Sequence, residues 1–549
     1  MACLGYTFVG HNLAFDMGVV MRHAPELTNI IFELYRSGRV RDTKIREELY
    51  DIRDNKLHTK KKRGLKDLAA RYLGVQMVKG EDSWQLRYGE LIDVPISQWP
   101  HDAVQYALND ARYTLEVFNA QTIEMPDEGL QCRAAFSLFL MSGYGIITDP
   151  VLVKELGDEL NSEHDHLKKF LMEKAFLRSE GVKKGAKDTA YIQHYVNELY
   201  DGKAPLTKGG EKGENKKVQI NQDSLTPISY DPTIEKYLLY SQISTLRNTF
   251  LPTVEAGTRH RINHGYNTLV RTGRTSSYKP NSQNFPRGTD DFPIAKKVRR
   301  CFIPRPGFLY ASCDYAAAEL RAVAQLCFTL FGRSALRDDF IAGKDPHMEL
   351  AKEMGIDRGN LVKAANFGFW GGLGPPAFVE YARNMYGLHL TIQQAHQTKL
   401  RWMKKNPEQV AYFKVTKYAY QQGSTTQFKS KRVRGGITYT SSANTLFQGL
   451  VADAIKDAMF VVTDACYSSP THILYGARPV FMLHDELILE VKEDVAHEQA
   501  KELQRIMMSV ASEWMPDVPQ TGDVCLMRRW FKEAEPVYDQ EERLIPWSP

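Results

Sequence analysis

Val480-Phe481-Met482-Leu483-His484-Asp485-Glu486-Leu487-Ile488-Leu489-Glu490-Val491 is the stretch on which the reading of this chain turns. Apolar residues flank a His-Asp-Glu triplet on both sides, the pattern of two short strands meeting at a tight turn. Carboxylates held at a hairpin tip are hard oxygen ligands suited to Mg²⁺. Taken alone, the triplet is equally compatible with solvated charges on a surface turn. A second acidic stretch, Phe308-Leu309-Tyr310-Ala311-Ser312-Cys313-Asp314-Tyr315-Ala316-Ala317-Ala318-Glu319-Leu320-Arg321, separates the two readings. Its apolar run predicts a strand ending at Asp314, and the alanine-rich continuation predicts a helix. Two-metal phosphoryl transfer needs carboxylates from separate strands, clamping ions about 3.5–4 Å apart. Asp314 and Asp485 are the candidate pair.

With 549 residues the chain is long enough for several domains. Its formal charge of +5 is only a mild bias towards a polyanionic partner. Basic clusters say more: Lys60 to Arg63, Lys216-Lys217, Lys296-Lys297 with Arg299-Arg300, and Lys429 to Arg434. Singly each reads as a solvated loop; together they make nucleic acid a plausible partner. Seven scattered cysteines form no CxxC pair, which favours a reducing compartment. No run approaches transmembrane length and no signal-peptide pattern opens the chain, so a cytoplasmic protein without a membrane partner is expected, in the host cytoplasm if phage-encoded.

Near the start, Thr7 to Asp16 predicts a strand running through a polar turn into a helix. Leu65 to Gly74 predicts a short helix closed by glycine. Asp102 to Phe118 predicts another, with Tyr106 and Asp110 on one face. Asp16 and Asp110 are candidates for a shared metal site. Met125-Pro126-Asp127-Glu128-Gly129 reads as a linker, and a long charged helix is expected from Val151. Ser179 to Asn221, rich in Lys, Gly and polar residues, reads as a mobile basic tip before helical periodicity resumes from Ile234 to Phe250. Two long helices with a basic end would suit a clamp on a duplex backbone. Arg271-Thr272-Gly273-Arg274 to Arg287 mixes arginines, hydroxyls and carboxamides able to reach phosphates and the minor groove. If Arg358 to Gly372 is helical, Lys363 and Phe367 share a face, a lysine for triphosphate oxygens and an aromatic for base or sugar. Asn444 and Gln448 likewise share a helical face, ahead of an apolar helix from Val451 to Val462.

Taken together these stretches resemble the DNA polymerase I family, the family A DNA polymerases. Asp314-Tyr315-Ala316-Ala317-Ala318-Glu319-Leu320-Arg321 is similar to motif A, Lys363 to Gly368 to motif B, and His484-Asp485-Glu486 to motif C. Arg271 to Pro286 resembles the family's Thr-Gly-Arg…Gln-Asn-Ile-Pro segment. The resemblance implies an α+β and α/β multidomain fold, a right hand of palm, fingers and thumb. It follows an N-terminal ribonuclease H-like 3′–5′ exonuclease domain. The implied boundaries are 1–125 for that domain, 126–260 for linker and thumb, 261–335 and 431–549 for palm, and 336–430 for fingers. It implies two Mg²⁺ ions, with Mn²⁺ able to substitute, on Asp314, Asp485 and the Tyr315 carbonyl. Glu486 and Lys363 complete the implied catalytic set, Lys363 as proton donor to pyrophosphate. Phe367, Glu319, His347 and Arg358 would face the nucleotide. A Phe at position 367 implies discrimination against dideoxynucleotides, and Glu319 would exclude a 2′-hydroxyl. Arg274, Gln283, Asn284, Asn444, Gln448 and His484 would touch DNA. Implied partners are primer–template DNA and dNTPs, with a processivity factor or other replication proteins as a further class.

Some positions depart from the pattern. Where the family has an arginine four residues before the motif B lysine, this chain has Gly359, and Arg358 stands five before. A one-residue shift turns a helical side chain by about 100°, so either the helix start is distorted or another basic residue serves. Gly371 replaces a tyrosine eight residues after Lys363, with Trp370 beside it; the Gly-Gly ending is similar to phage members. At the N-terminus, Asn12 to Asp16 and Tyr106 to Asp110 resemble the second and third exonuclease motifs, while the first would fall before Met1. That reading expects missing first strands and little or no proofreading. Competing readings are a single-chain RNA polymerase-like enzyme and a non-catalytic primer–template binding protein.

Overall fold

The long apolar runs of the sequence become strands buried on both faces. A computed structural model describes residues 5–57, 62–77, 83–207, 216–289 and 292–549. In the N-terminal part, β1 (Phe8–Gly10) pairs in parallel with β2 (Val40–Asp42), and α1 (Leu13–His23) follows β1 after a polar turn, as expected. Asp42 caps α2 (Thr43–Arg53) by accepting from the Lys44 and Ile45 amides. The short helix Leu65–Leu73 ends at Gly74, and α3 is His101–Ala120.

The expected linker is not a free connection. Asp127 and Glu128 are buried at the entry to α4 (Glu128–Tyr144). Glu128 pairs with Arg46 at 2.7 Å, and Asp127 with Arg432 at 2.9 Å. A polar run with Pro and Gly looks solvated in one dimension; here its charges meet partners more than 80 and 300 residues away. After α4 come α5 (Pro150–Glu173), started by the Asp149 cap, and α6 (Pro232–Thr245), which runs on through a wide turn at Leu246–Phe250. The stretch expected as a mobile tip is in part a packed helix, Thr189–Leu199, whose Ile192 and Val196 are buried in one core with α5 and α6. Residues 208–215 of it, and Lys60 and Lys61, lie outside the described residues.

Two short strands, β3 (Gly265–Asn267) and β4 (Ser276–Tyr278), form a hairpin around the Arg271 loop. The central sheet contains β5 (Phe308–Tyr315), β6 (Arg478–Leu483), β7 (Glu486–Lys492), β8 (Gly522–Met527), β9 (Val537–Tyr538) and β10 (Leu544–Trp547), in the order β6-β7-β5-β8-β10-β9. β5 lies between β7 and β8, antiparallel to both. Leu309, Ala311 and Cys313 point into one core with Leu487 and Leu489, whereas Tyr310 points into a second with Val480, Phe481 and Ile488. A strand facing two cores needs apolar residues at successive positions, which is why both runs lack clean alternation.

The first core is closed by α7 (Ala318–Phe331) and, further on, by two long helices. Between them α8 (Pro346–Met354), α9 (Asn360–Trp370), α10 (Ile392–Lys405) and α11 (Gln409–Gln421) assemble around Trp370, Trp402 and Tyr412, whose rings meet edge to face. The chain returns through α12 (Tyr439–Tyr467) and, after the β6–β7 hairpin, α13 (Ala496–Trp514). The helix expected over Val451–Val462 is the middle of the 29-residue α12, which already includes Asn444 and Gln448.

Not all the basic clusters face solvent. Arg299 is buried and donates to the carbonyls of Phe285 and Pro286. Arg432 is buried between Asp127 and Asp453. Charge order along a chain cannot distinguish an exposed arginine from one whose partners arrive from another element. Among the described residues no helix is long and apolar enough to cross a membrane. Six described cysteines are buried and unpaired.

Candidate active site

Strand register builds the site. Asp314 sits opposite Glu486 in the β5–β7 ladder. The turn between β6 and β7 is two residues, His484 and Asp485, and His484 takes a left-handed backbone (φ 63°) that lets the chain reverse there. The Tyr315 amide donates to the main-chain oxygen of Asp485 at 3.3 Å, tying the turn to the end of β5. Asp314 and Asp485, 171 positions apart in sequence, are thereby brought together. Both carboxyls are pushed up, Asp314 by burial and then by the charge of Asp485, Asp485 by burial. Oδ1 of Asp314 is buried without a hydrogen-bond partner.

An orphaned carboxylate oxygen beside a second, repelled carboxylate is the electrostatic signature of a site that gains from a cation. Among the described residues no three His, Cys, Asp or Glu side chains form a ready-made metal cage. That fits Mg²⁺, which is bound through one or two carboxylates and completed by water and substrate phosphates. The residues therefore fit a divalent ion.

Beyond the pair, Arg274, Ala317, Glu319, Phe367, His484 and Asp485 line an open cavity of about 360 Å³. Arg274 forms an ion pair with Glu319 across it. The Arg274 loop is held from behind. Gly273 adopts φ 88°, and a side chain there would collide with the Arg432 guanidinium. Lys456, buried on α12, donates to the Gly273 carbonyl at 2.6 Å and to Gln131 at 2.7 Å. Arg271 donates to Asn55, just past the end of α2, at 2.8 Å. Gln283 reaches Thr275 Oγ1 at 3.3 Å and the Met482 carbonyl at 3.4 Å, next to the hairpin; Asn284 is exposed beside it.

Lys363 and Phe367 lie one turn apart on α9. Among the described residues Lys363 has no ion-pair partner. His347, buried on α8, packs its ring 5.6 Å from that of Phe367 and bonds Asn366 at 3.1 Å. Burial holds its imidazole below its ordinary value. Arg358 is not on the helix: α9 begins at Asn360, and the guanidinium donates to Asp345 at 2.7 Å, the residue that caps α8 beside His347. The helical offset of one residue therefore does not apply. At the other end of α9, Trp370 turns into the helical core and forms no wall of the site. Asn444 occupies the space instead, donating to the Gly371 carbonyl at 3.3 Å, and a Cβ on Gly371 would lie 3.0 Å from its side chain. Gln448 follows one turn along α12.

The sequence reading missed Lys532, whose amine donates to Glu486 at 2.7 Å and to Asp314 at 3.4 Å. It falls in no motif, and no signal in the linear chain marks it. Glu486 is correspondingly enclosed: its second oxygen accepts from Ser312 at 2.6 Å. In the N-terminal part, Asp16 and Asp110 line one cavity of about 630 Å³, with burial and then the charges of Asp42 and Asp110 raising Asp16.

Comparison with known proteins bears on this geometry. A family described as DNA polymerase family A matches residues 188–532, and one described as 3′-5′ exonuclease matches residues 4–125. The thermostable DNA polymerase I of Thermus filiformis is 27% identical over 423 residues, 72% of this chain and 47% of its own length. DNA polymerase I of Chloroflexus aurantiacus is 26% identical over 547 residues, 91% of this chain and 52% of its own. The chain thus spans about half the length of these relatives. DNA polymerase I of Aquifex aeolicus is 22% identical, covering 96% of this chain and 88% of its own. The POL domain of Pol1 from M. smegmatis, solved in complex with DNA primer-template and dNTP, shares the fold at a TM-score of 0.67 and 20% identity, over 89% of this chain and 81% of that one.

Proposed function

This chain belongs to DNA polymerase family A, and from that premise we propose that it is a DNA-directed DNA polymerase, adding deoxynucleotides to a primer 3′-hydroxyl with release of pyrophosphate. The observation that carries the reading is the pairing of Asp314 with Asp485, the latter lining a cavity together with Phe367, Glu319 and Arg274. Asp314 and Asp485, with the Tyr315 carbonyl, are the residues that would hold two Mg²⁺ ions, or Mn²⁺ in their place. When bound, such ions lower the pKa of the attacking hydroxyl and neutralise charge on the leaving phosphates.

The remaining roles belong to side chains. Lys363, with no ion-pair partner among the described residues, would meet triphosphate oxygens and give a proton to pyrophosphate as it leaves. His347 and Arg358 flank it through Asp345. Phe367 supplies the apolar face for sugar and base. Glu319, held by Arg274, occupies the space a ribose 2′-hydroxyl would need. Arg274, Gln283, Asn284 and His484 surround the primer end; Asn444 and Gln448 face the templating side. Rate enhancement then comes from alignment and charge stabilisation. Palm, fingers and thumb correspond to the central sheet, the α8–α11 group and the α5–α6 arm. Primer–template DNA and dNTPs are the partners, and the buried unpaired cysteines support a reducing, cytoplasmic setting.

Asp314→Asn and Asp485→Asn should each abolish extension of a labelled primer while leaving duplex affinity within about twofold, because neither residue is needed to neutralise DNA phosphates. Extension by either variant near the wild-type rate would sink the assignment. Parallel reactions with rNTPs separate it from an RNA polymerase.

A further inference from the structure

Lys532 lies where a cation is most valuable. Its ammonium bridges Glu486 Oε2 and Asp314 Oδ2, at 2.7 and 3.4 Å. The segment carrying it is pinned on both sides of the backbone by apolar packing. Trp530 is fully buried and stacked on Phe481 with ring centres 4.4 Å apart, and Phe531 packs against Trp547 at 5.1 Å. The amine is therefore delivered by a fixed anchor. Glu486 has both oxygens engaged within the protein, Oε2 by Lys532 and Oε1 by Ser312. Its place in the acidic triplet is thus accounted for by holding Lys532.

We propose that Lys532 is a positioning residue that acts as a tethered counter-ion to Asp314, holding down the divalent-ion affinity of the site until substrate phosphates arrive. The inference rests on the metal-site reading of Asp314 and Asp485 given above. Lys532 stands on Oδ2 of Asp314 while Oδ1 has no partner, so the ammonium and a divalent ion compete for the charge of one carboxylate rather than for one oxygen. Without substrate the fixed ammonium keeps the pair partly neutralised; the added negative charge of a triphosphate shifts the balance towards the ion. Lys532 thus links metal occupancy to nucleotide occupancy.

Mn²⁺ binding to the full chain, followed by electron paramagnetic resonance of the free ion without DNA or nucleotide, tests this. Lys532→Gln and Lys532→Met should each bind Mn²⁺ about tenfold more tightly than wild type, since each removes one unit charge next to Asp314. Lys532→Arg should stay near wild type, and the Asp314→Asn/Lys532→Gln double variant should lose the gain. Circular dichroism confirms that each variant is folded, and the Met variant keeps the apolar stem if the Gln variant does not fold. Equal or weaker Mn²⁺ affinity in a folded neutral variant, with binding still abolished by Asp485→Asn, overturns the role of Lys532 alone. Unchanged binding in both Asp314→Asn and Asp485→Asn would instead overturn the metal-site reading.

Discussion

His264 shows how a single buried side chain sets a pH limit. It has no exposed surface, donates or accepts at 2.9 Å with the Tyr266 hydroxyl, and stacks on Phe481 beneath the β6–β7 hairpin. Burial pushes its pKa down to about 4, against about 6.5 in an unfolded chain. Between those values the unfolded state binds the extra proton, so stability falls as pH drops through that window and the neutral-imidazole contribution is complete above it. The loss amounts to about 3 kcal/mol by pH 4. The denaturant midpoint of wild type, measured from pH 7 to 4, should fall relative to that of His264→Phe as pH drops. Parallel curves would show that His264 does not titrate across folding. Residues of this kind were invisible in sequence, as was Lys532, because their roles come from neighbours supplied by other elements. Asp314, Asp485, Lys363 and Phe367 were legible because each sits in a local pattern, at a strand end, a hairpin tip or one helix face.

Elements were legible where a period or a punctuating residue marked them. The hairpin, the strand before Asp314, the Leu65 helix with its glycine, and the helix with Lys363 one turn before Phe367 all stand as expected. Boundaries set by tertiary contacts were not: α9 starts after Arg358, since Gly359 is still extended and Arg358 is drawn off to Asp345. Met125 to Gly129 was misread for the same reason, its acids being anchors between α2, α4 and α12. That junction makes a quantitative claim. Asp453→Ala leaves Arg432 buried with half its compensation and should cost about 3–5 kcal/mol, read as a lower denaturant midpoint. The buried Arg432 also abuts Gly273, so the same variant should disturb the Arg274 loop and slow extension. A loss under about 1 kcal/mol would mean that the pair is reached by water.

At the scale of the molecule, two cores on either face of one sheet explain how residues far apart in sequence meet: β5 and β7 are clamped from both sides, and their tips carry the carboxylates. Asn55, just past α2, bonds Arg271, and Gln131 of α4 bonds Lys456, which donates to Gly273, so the 3′-5′ exonuclease-matching part and α4 both reach the Arg271–Arg274 loop through polar contacts. Net charge was a poor guide at this scale, since Arg299 and Arg432 serve the interior.

The central claim is templated nucleotide addition at Asp314 and Asp485. Its most direct test supplies the purified chain with a labelled primer–template, Mg²⁺ and each dNTP singly, on four templates differing only in the first templating base. The account predicts that each template admits only its complementary nucleotide as the first addition, and does so in wild type but not in Asp485→Asn. Addition that ignores the templating base, or that persists in Asp485→Asn, would contradict it.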